Sequence, residues 1–156
     1  MPETGTIRSV EELKALVGRE TGLGQWVTIT QEQVDRFADL TGDHQYIHVD
    51  PERAARTPFG GTIAHGYLTL SLQPLLGKDR EGIKLELPAK MAVNMGTNRV
   101  RFPGPVRVGK RIRLRTRLKS VEEGPNYVEI VNEQTVEVEG QERPGMVAET
   151  VSRIYL

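Results

Sequence analysis

The chain has 156 residues and 37% hydrophobic content, which suits a single domain built on one core. Lys plus Arg and Asp plus Glu are equal at 21 each, so the net charge is zero, which argues against a protein that holds nucleic acid or a membrane surface by bulk charge. Cysteine is absent, which excludes a disulfide scaffold, a thiol nucleophile and a thiolate metal site.

The start, MPETGTIRSVEELK, has no apolar signal core. The longest apolar run, GYLTLSLQPLLG, is too short and too interrupted to span a bilayer. The sequence therefore reads as a soluble cytoplasmic protein, one domain over residues 1–156, with residues 1–8 expected to be loose.

Ser9 followed by Glu12 forms a capping box, so a short helix is predicted to run to about Gly18. QWVTI, Gln25–Ile29, reads as a strand. Thr30 with Gln33 makes a second capping box and opens a helix over Gln31–Leu40, with apolar Val34, Phe37 and Ala38 at helical spacing. Gly42 can take the left-handed conformation that ends it. A polar loop, Asp43–Asp50, follows. Asp50-Pro51 then looks like an N-cap with proline at the first helical position, so Pro51–Arg56 is predicted as a brief helix. From Gly66 to Leu76 apolar residues fall on nearly every side, which predicts a helix buried all round, kinked at Pro74.

After this the period changes to two. Lys90–Phe102, Arg111–Val121, Tyr127–Glu139 and Gly145–Leu156 read as long antiparallel strands. Helices followed by long strands give an α+β class, most simply a long sheet wrapped around the one buried helix. Arg111, Arg113, Arg115, Arg117 and Lys119 share one face of their strand, and Glu129, Glu133, Glu137 and Glu139 one face of the next. With a turn at Glu123-Gly124-Pro125, Lys119 would oppose Glu129, Arg115 would oppose Glu133, and Arg111 would oppose Glu137. Such cross-strand pairs set register at about 0.2–1 kcal/mol each, a structural reading of the charges rather than a nucleic-acid surface.

The chemistry gathers in TGDHQYIHVDPERA, Thr41–Ala54, which holds two of the three histidines. An imidazole exchanges protons near neutral pH, and a carboxylate across a small cleft can share that work. Asp43 and His48 could meet on one water molecule if the loop folds suitably. The spacing alone leaves open that Asp43 is an ordinary turn residue after a helix-ending glycine. His44 and His48 with Asp43 and Asp50 could instead hold zinc or iron, although H-x-x-x-H brings two imidazoles together only on a helix. Gly66 opens the predicted buried helix, where a free N–H could bind a developing oxyanion, and glycine lets a ligand approach the backbone. His65 reads either as a structural hydrogen-bonding residue or as a second base. Tyr67 and Ser71 read as helix packing.

FADLTGDHQYIHVDPERA, then GGTIAHGYLTLSL, then NRVRFPGPVRVGKRIRL resemble the MaoC-like, or (R)-specific enoyl-CoA hydratase, family. The likeness spans the chain from about Trp26 onward. It is nearest to the branch with GDHQ-x-IH, which includes single-domain mycobacterial-type hydratases and nodulation-N-like proteins. The resemblance implies a hot-dog fold, a homodimer with sheets continuous across the subunits, and an acyl tunnel near the interface. It implies reversible hydration of trans-2-enoyl-CoA to (R)-3-hydroxyacyl-CoA, with Asp43 and His48 as the acid–base pair and the Gly66 N–H as donor to the thioester oxygen. It implies no metal and no redox cofactor, the acyl-CoA thioester being substrate. Gln45 and Tyr46 stand where the family usually has Asn-Pro. A serine that some members use near the end of the central helix is not evident; Pro74 lies close to that place. Arg99, Arg101 and Arg107 could pair with CoA phosphates or be plain sheet and turn charges. The competing readings are an acyl-CoA thioesterase on the same fold and a non-catalytic subunit that binds acyl thioesters.

Overall fold

The computed structural model describes residues 1–156. Its strands in chain order are β1 (Gly5–Ile7), β2 (Glu20–Leu23), β3 (Val27–Thr28), β4 (Glu81–Leu85), β5 (Met91–Arg101), β6 (Arg111–Glu123), β7 (Tyr127–Val138) and β8 (Met146–Tyr155). The helices are α1 (Val10–Lys14), α2 (Gln31–Thr41), α3 (Tyr46–Val49), α4 (Pro51–Ala54), α5 (Gly66–Ser71) and α6 (Gln73–Leu76). One sheet runs in the order β1-β4-β2-β6-β7-β8-β5, with β3 paired to β6. The long strands are antiparallel, as their period-two pattern predicts. No helix is long and apolar enough to cross a membrane.

Alternation along β6, β7 and β8 builds the core. Ile112, Leu114, Val136, Val138, Met146 and Ala148 point to the helix side and close on Leu68, Leu76, Ile29 and Val34. A second cluster joins Val10 and Leu13 of α1 to Leu118, Val128, Ile130 and Ile154. Both capping boxes form, at Ser9 with Glu12 and at Thr30 with Gln33.

Several expectations are corrected. Residues 5–7 are not loose: β1 pairs in parallel with β4 through Gly5–Ile83, Thr6–Lys84 and Ile7–Leu85. The first helix ends at Lys14, and turns carry the chain to Gly18. Val27–Thr28 alone of the predicted strand pairs with β6. The stretch Asp43–Asp50 is not all loop, because Tyr46–Val49 close one helical turn through Asp50 N–H to the Tyr46 carbonyl.

The central helix is two pieces hinged at Leu72, with Pro74 in the first turn of α6, where a missing N–H costs nothing. Nor is it buried all round. It packs on one sheet, so Leu68, Thr69 and Leu76 are buried while Tyr67 is 70% and Leu75 44% exposed.

The register between β6 and β7 slides two residues from the expected one. Arg113 opposes Glu137 and Arg117 opposes Glu133, because the strands stay paired out to Glu123 and Val128. The charges keep their face but change partners: Arg111 pairs with Glu139, Arg113 and Arg115 with Glu137, and Arg115 also with Glu20 at 2.7 Å. A bulge between Leu118 and Ser120 frees Lys119 to reach Glu149 on β8, and Glu129 pairs with Arg153 at 2.8 Å.

Burial pushes the Glu137 carboxyl upward, but Arg115 and Arg113 outweigh it and hold the group below its ordinary value. A depressed carboxyl contributes stability above its unfolded pKa and loses it as pH falls through the folded value. Glu137→Gln is therefore expected to cost about 1 kcal/mol at pH 7. The difference from wild type should shrink as pH falls below the ordinary carboxylate value and vanish once the folded, depressed pKa is passed and both carry a neutral side chain. Denaturant midpoints at pH 7 and at low pH check this, and an undiminished gap at low pH contradicts it.

Candidate active site

The site is assembled from the end of α2, the turn of α3, the segment Thr62–His65 and the start of α5. Gly42 takes the left-handed conformation, φ 81°, and stops α2 as predicted. The chain then turns at Asp43, whose Oδ1 accepts from the Gln45 N–H at 3.3 Å. Asp43 itself stays exposed. Asp50 caps α4 by accepting from the Arg53 N–H at 3.0 Å, which fixes the far end of the segment.

Gln45 and Tyr46, the departures from Asn-Pro, have an evident local effect. Gln45 makes no side-chain cap to α3, and Arg53 of α4 lies over the Tyr46 ring at 3.9 Å. Contact between a cation and an aromatic face thus links two short helices.

His48 is buried within α3. Its Nδ1 lies 2.7 Å from the Ile63 carbonyl. A carbonyl only accepts, so Nδ1 carries the proton and Nε2 the lone pair. The main chain around it is held as well. Ile63 N–H donates to the Ile47 carbonyl at 2.9 Å. Gln31 Nε2 donates to the His48 carbonyl at 2.7 Å, and Gln31 Oε1 accepts from Thr62 at 2.6 Å. Burial pushes the His48 imidazole below its ordinary 6.5, and nearby His65 adds to this. The Ile63 hydrogen bond and the Asp43 charge pull the other way.

His48 and Gly66 line one cleft of about 300 Å³ with Phe59, Ala64, Thr69 and Phe102 among its walls. Gly66 is the first residue of α5, so its N–H has no acceptor inside the helix. A Cβ at Gly66 would stand 2.9 Å from the Phe102 ring, which explains the need for glycine by close approach rather than by an unusual φ. Atoms of Asp43, His48 and His65 that could bind a ligand lie within 4.8 Å of one another. The structure thus brings Asp43 near His48 and places His48 in one cleft with Gly66.

Others fall elsewhere. His44 is exposed and pairs with Asp39 at 2.8 Å; that hydrogen bond raises its pKa. Asp50 is a cap. The four-residue metal set is therefore not assembled. Nor does the Asp43–His48–His65 group suit a shared ion. The two imidazoles stack at 3.8 Å and 25°, so their in-plane lone pairs run side by side instead of converging. Arg99 and Arg101 line a separate cleft of about 560 Å³ with Glu133 and Glu149, on the face of the sheet away from the central helix. Arg107 lies against Gly60 and Gly61.

Sequence reading passed over Thr69. It is buried and lines the cleft, while Ser71 turns its hydroxyl to the Tyr67 carbonyl at 2.7 Å. The signal was present: three residues after Gly66 is the same helix face one turn on. Gln31 and Thr62 gave no signal, since they are 31 positions apart.

A sheet around a short hinged helix, with an imidazole and a free amide in one cleft, defines a class. Residues 12–140 match the family model for the MaoC like domain, so the chain belongs to the MaoC-like dehydratase family. It is 52% identical over 149 residues to 3-hydroxyacyl-thioester dehydratase Z of Mycobacterium tuberculosis, covering 95% of this chain and 97% of that one. It is 43% identical over 148 residues to Nodulation protein N of Rhizobium leguminosarum bv. viciae, covering 94% and 91%. Among solved structures, an R-hydratase of Pseudomonas aeruginosa matches with a TM-score of 0.64 at 24% identity, over 87% of this chain and 79% of that one. The fold is the hot-dog fold of these dehydratases.

Proposed function

We propose that the protein reversibly hydrates trans-2-enoyl-CoA to (R)-3-hydroxyacyl-CoA. The observation that carries this reading is His48: its proton is fixed on Nδ1 by the Ile63 carbonyl, and the residue lines the same cleft as the Gly66 amide. The relative named as a dehydratase of 3-hydroxyacyl thioesters supports it at 52% identity.

The Gly66 N–H donates to the thioester carbonyl and draws electron density from C3. Asp43 and His48 hold a water. One takes a proton from it as oxygen bonds to C3, the C2–C3 π pair moves toward the carbonyl, and the other, receiving that same proton across the pair, delivers it to C2. The bare Nε2 suits His48 to the first role. The sum is H and OH added across one double bond, and the reverse is dehydration. Water adds with no net oxidation or reduction and the protons are handled by side chains, so the proposed reaction calls for no redox cofactor and no metal.

The site belongs to a dimer in this reading. Strand β5 ends the sheet with an open edge, and Met91, Val93 and Met95 on it are exposed, which suits pairing with a second copy.

Loss of the enoyl-thioester absorbance of crotonyl-CoA, and of longer enoyl-CoAs, tests the proposal. The expected product is the (R)-3-hydroxy thioester. Free thiol release from saturated acyl-CoA without hydration would mark a thioesterase instead. Saturable binding of enoyl-CoA with no product at any chain length would mark a binding subunit.

A further inference from the structure

His65 is buried to 3% exposure at the candidate site, stacked on His48 at 3.8 Å and with the tilted Phe37 ring at 5.0 Å. Its Nε2 lies 2.9 Å from the Asp43 main-chain carbonyl, so Nε2 carries the proton and donates. Its Nδ1 is buried and has no partner. That atom is closed to a substrate in the cleft, so His65 is not a second base. One side chain instead touches both members of the acid–base pair: it tethers the main chain of Asp43 and floors the ring of His48.

We infer that His65 is a positioning residue that fixes Asp43 and His48 relative to each other. The inference rests on the hydratase reading for its effect on rate, but its geometry is independent of the substrate. Within Asp43–Asp50 the pair is joined indirectly, through Gln45, whose N–H donates to Asp43 Oδ1 at 3.3 Å and whose carbonyl accepts from the His48 N–H at 2.9 Å; His65 touches both residues itself. His48 is held by Ile63, Gln31 and the Gln45 carbonyl, whereas the turn at Asp43 rests on long contacts, 3.4 Å from its own N–H to Thr41, a 3.3 Å Asx contact and 3.2 Å from the His44 N–H to the Gly42 carbonyl, and on the 2.9 Å bond from His65. A proton leaving the water for one group and returning to C2 from the other needs both groups at fixed positions. Misplacement by about 1 Å costs about 10²-fold in rate. The ring also keeps water from one side of His48. The titratable groups facing His48 are His65 and Asp43, and burial is the largest influence on its ionisation.

Two variants separate the two contacts. His65→Phe keeps an aromatic floor and loses the donor to Asp43. His65→Gln keeps a donor and loses the floor. Both are expected to lower kcat for enoyl-CoA hydration about 10²-fold, with KM within about threefold of wild type. Nitrogen-15 spectra of the histidines read the site without substrate. In wild type His48 is expected to be protonated on Nδ1 and to titrate below the ordinary value. In His65→Gln its titration should move up toward that value as water replaces the ring, and in His65→Phe it should stay low. The inference is overturned if kcat stays within threefold in both variants, or if His48 titrates alike in wild type and His65→Gln. Should His65→Phe fail to fold, His65→Gln alone carries both readouts. A wild type that hydrates no enoyl thioester would remove the proposed reaction, and the titration would still decide the role of His65.

Discussion

Asp43→Asn and His48→Gln are each expected to lower kcat for enoyl-CoA hydration by about 10²–10⁴-fold, the usual weight of one general acid–base group. His48→Gln keeps an amide of similar reach that could still meet the Ile63 carbonyl, so the loss reads as the lost Nε2 lone pair. Asp43→Asn keeps an oxygen to accept from the Gln45 N–H, so the turn survives and only the charge is removed. The double variant should be little slower than the worse single one, because two groups that share one water act as a unit. Purified single variants with wild-type melting temperatures and near-wild-type kcat would refute the assignment.

The same pair gives a pH profile with a determined sign. The proposed role of His48 is that of a base in its neutral form, so kcat/KM should fall on the acid side. Burial, aided by His65, places that limb below the ordinary imidazole value of 6.5. Folding follows the same direction. As pH drops below about 6.5 the unfolded imidazole binds a proton before the folded one does, so stability falls until the folded pKa is passed. His48→Gln should remove both the acid limb and that part of the stability slope.

The loop was legible because its signals are local. Gly42 stops one helix, Asp50-Pro51 starts another, and the residues between include the proposed acid–base pair. The long strands were legible from their alternation. The β6–β7 register was not, because a charge stripe repeats every two residues and looks the same after a slide of two. What set the register was the turn, where the Gly124 N–H reaches the Tyr127 carbonyl at 2.8 Å, together with the bulge between Leu118 and Ser120. Strands β1, β2 and β4 have only three to five residues and no alternation, and they exist through partners distant in sequence. The helix Gly66–Leu76 misled by composition: apolar residues all round do not say whether this sheet or another surface covers them, and Tyr67 and Leu75 are left open here. The role of His65 was out of reach. Its contact with Asp43 joins positions 22 apart, and its stack on His48 depends on both segments being placed.

Gly66→Ala should separate activity from stability. Gly66 has no positive φ, so alanine fits the backbone, and alanine favours a helix over glycine by about 1 kcal/mol. The added methyl would nevertheless stand 2.9–3.0 Å from three atoms of the Phe102 ring. Phe102 is 39% exposed, so the ring can swing outward instead of forcing the helix apart. The expected result is a melting temperature close to wild type. Activity should not be spared, because both the methyl and the displaced ring occupy the cleft in front of the Gly66 amide. A thioester carbonyl held about 1 Å off line loses about 10²-fold, and full loss of one oxyanion donor costs about 10²–10³-fold, so kcat/KM should fall within that span. Phe102→Leu in the same chain should recover part of the loss by making room for the methyl, whereas Phe102→Leu alone should recover nothing. Such coupling is what contact between the two positions requires. If Gly66→Ala hydrates enoyl-CoA as fast as wild type, the amide does not hold the carbonyl, and the oxyanion donor must be sought elsewhere along the cleft.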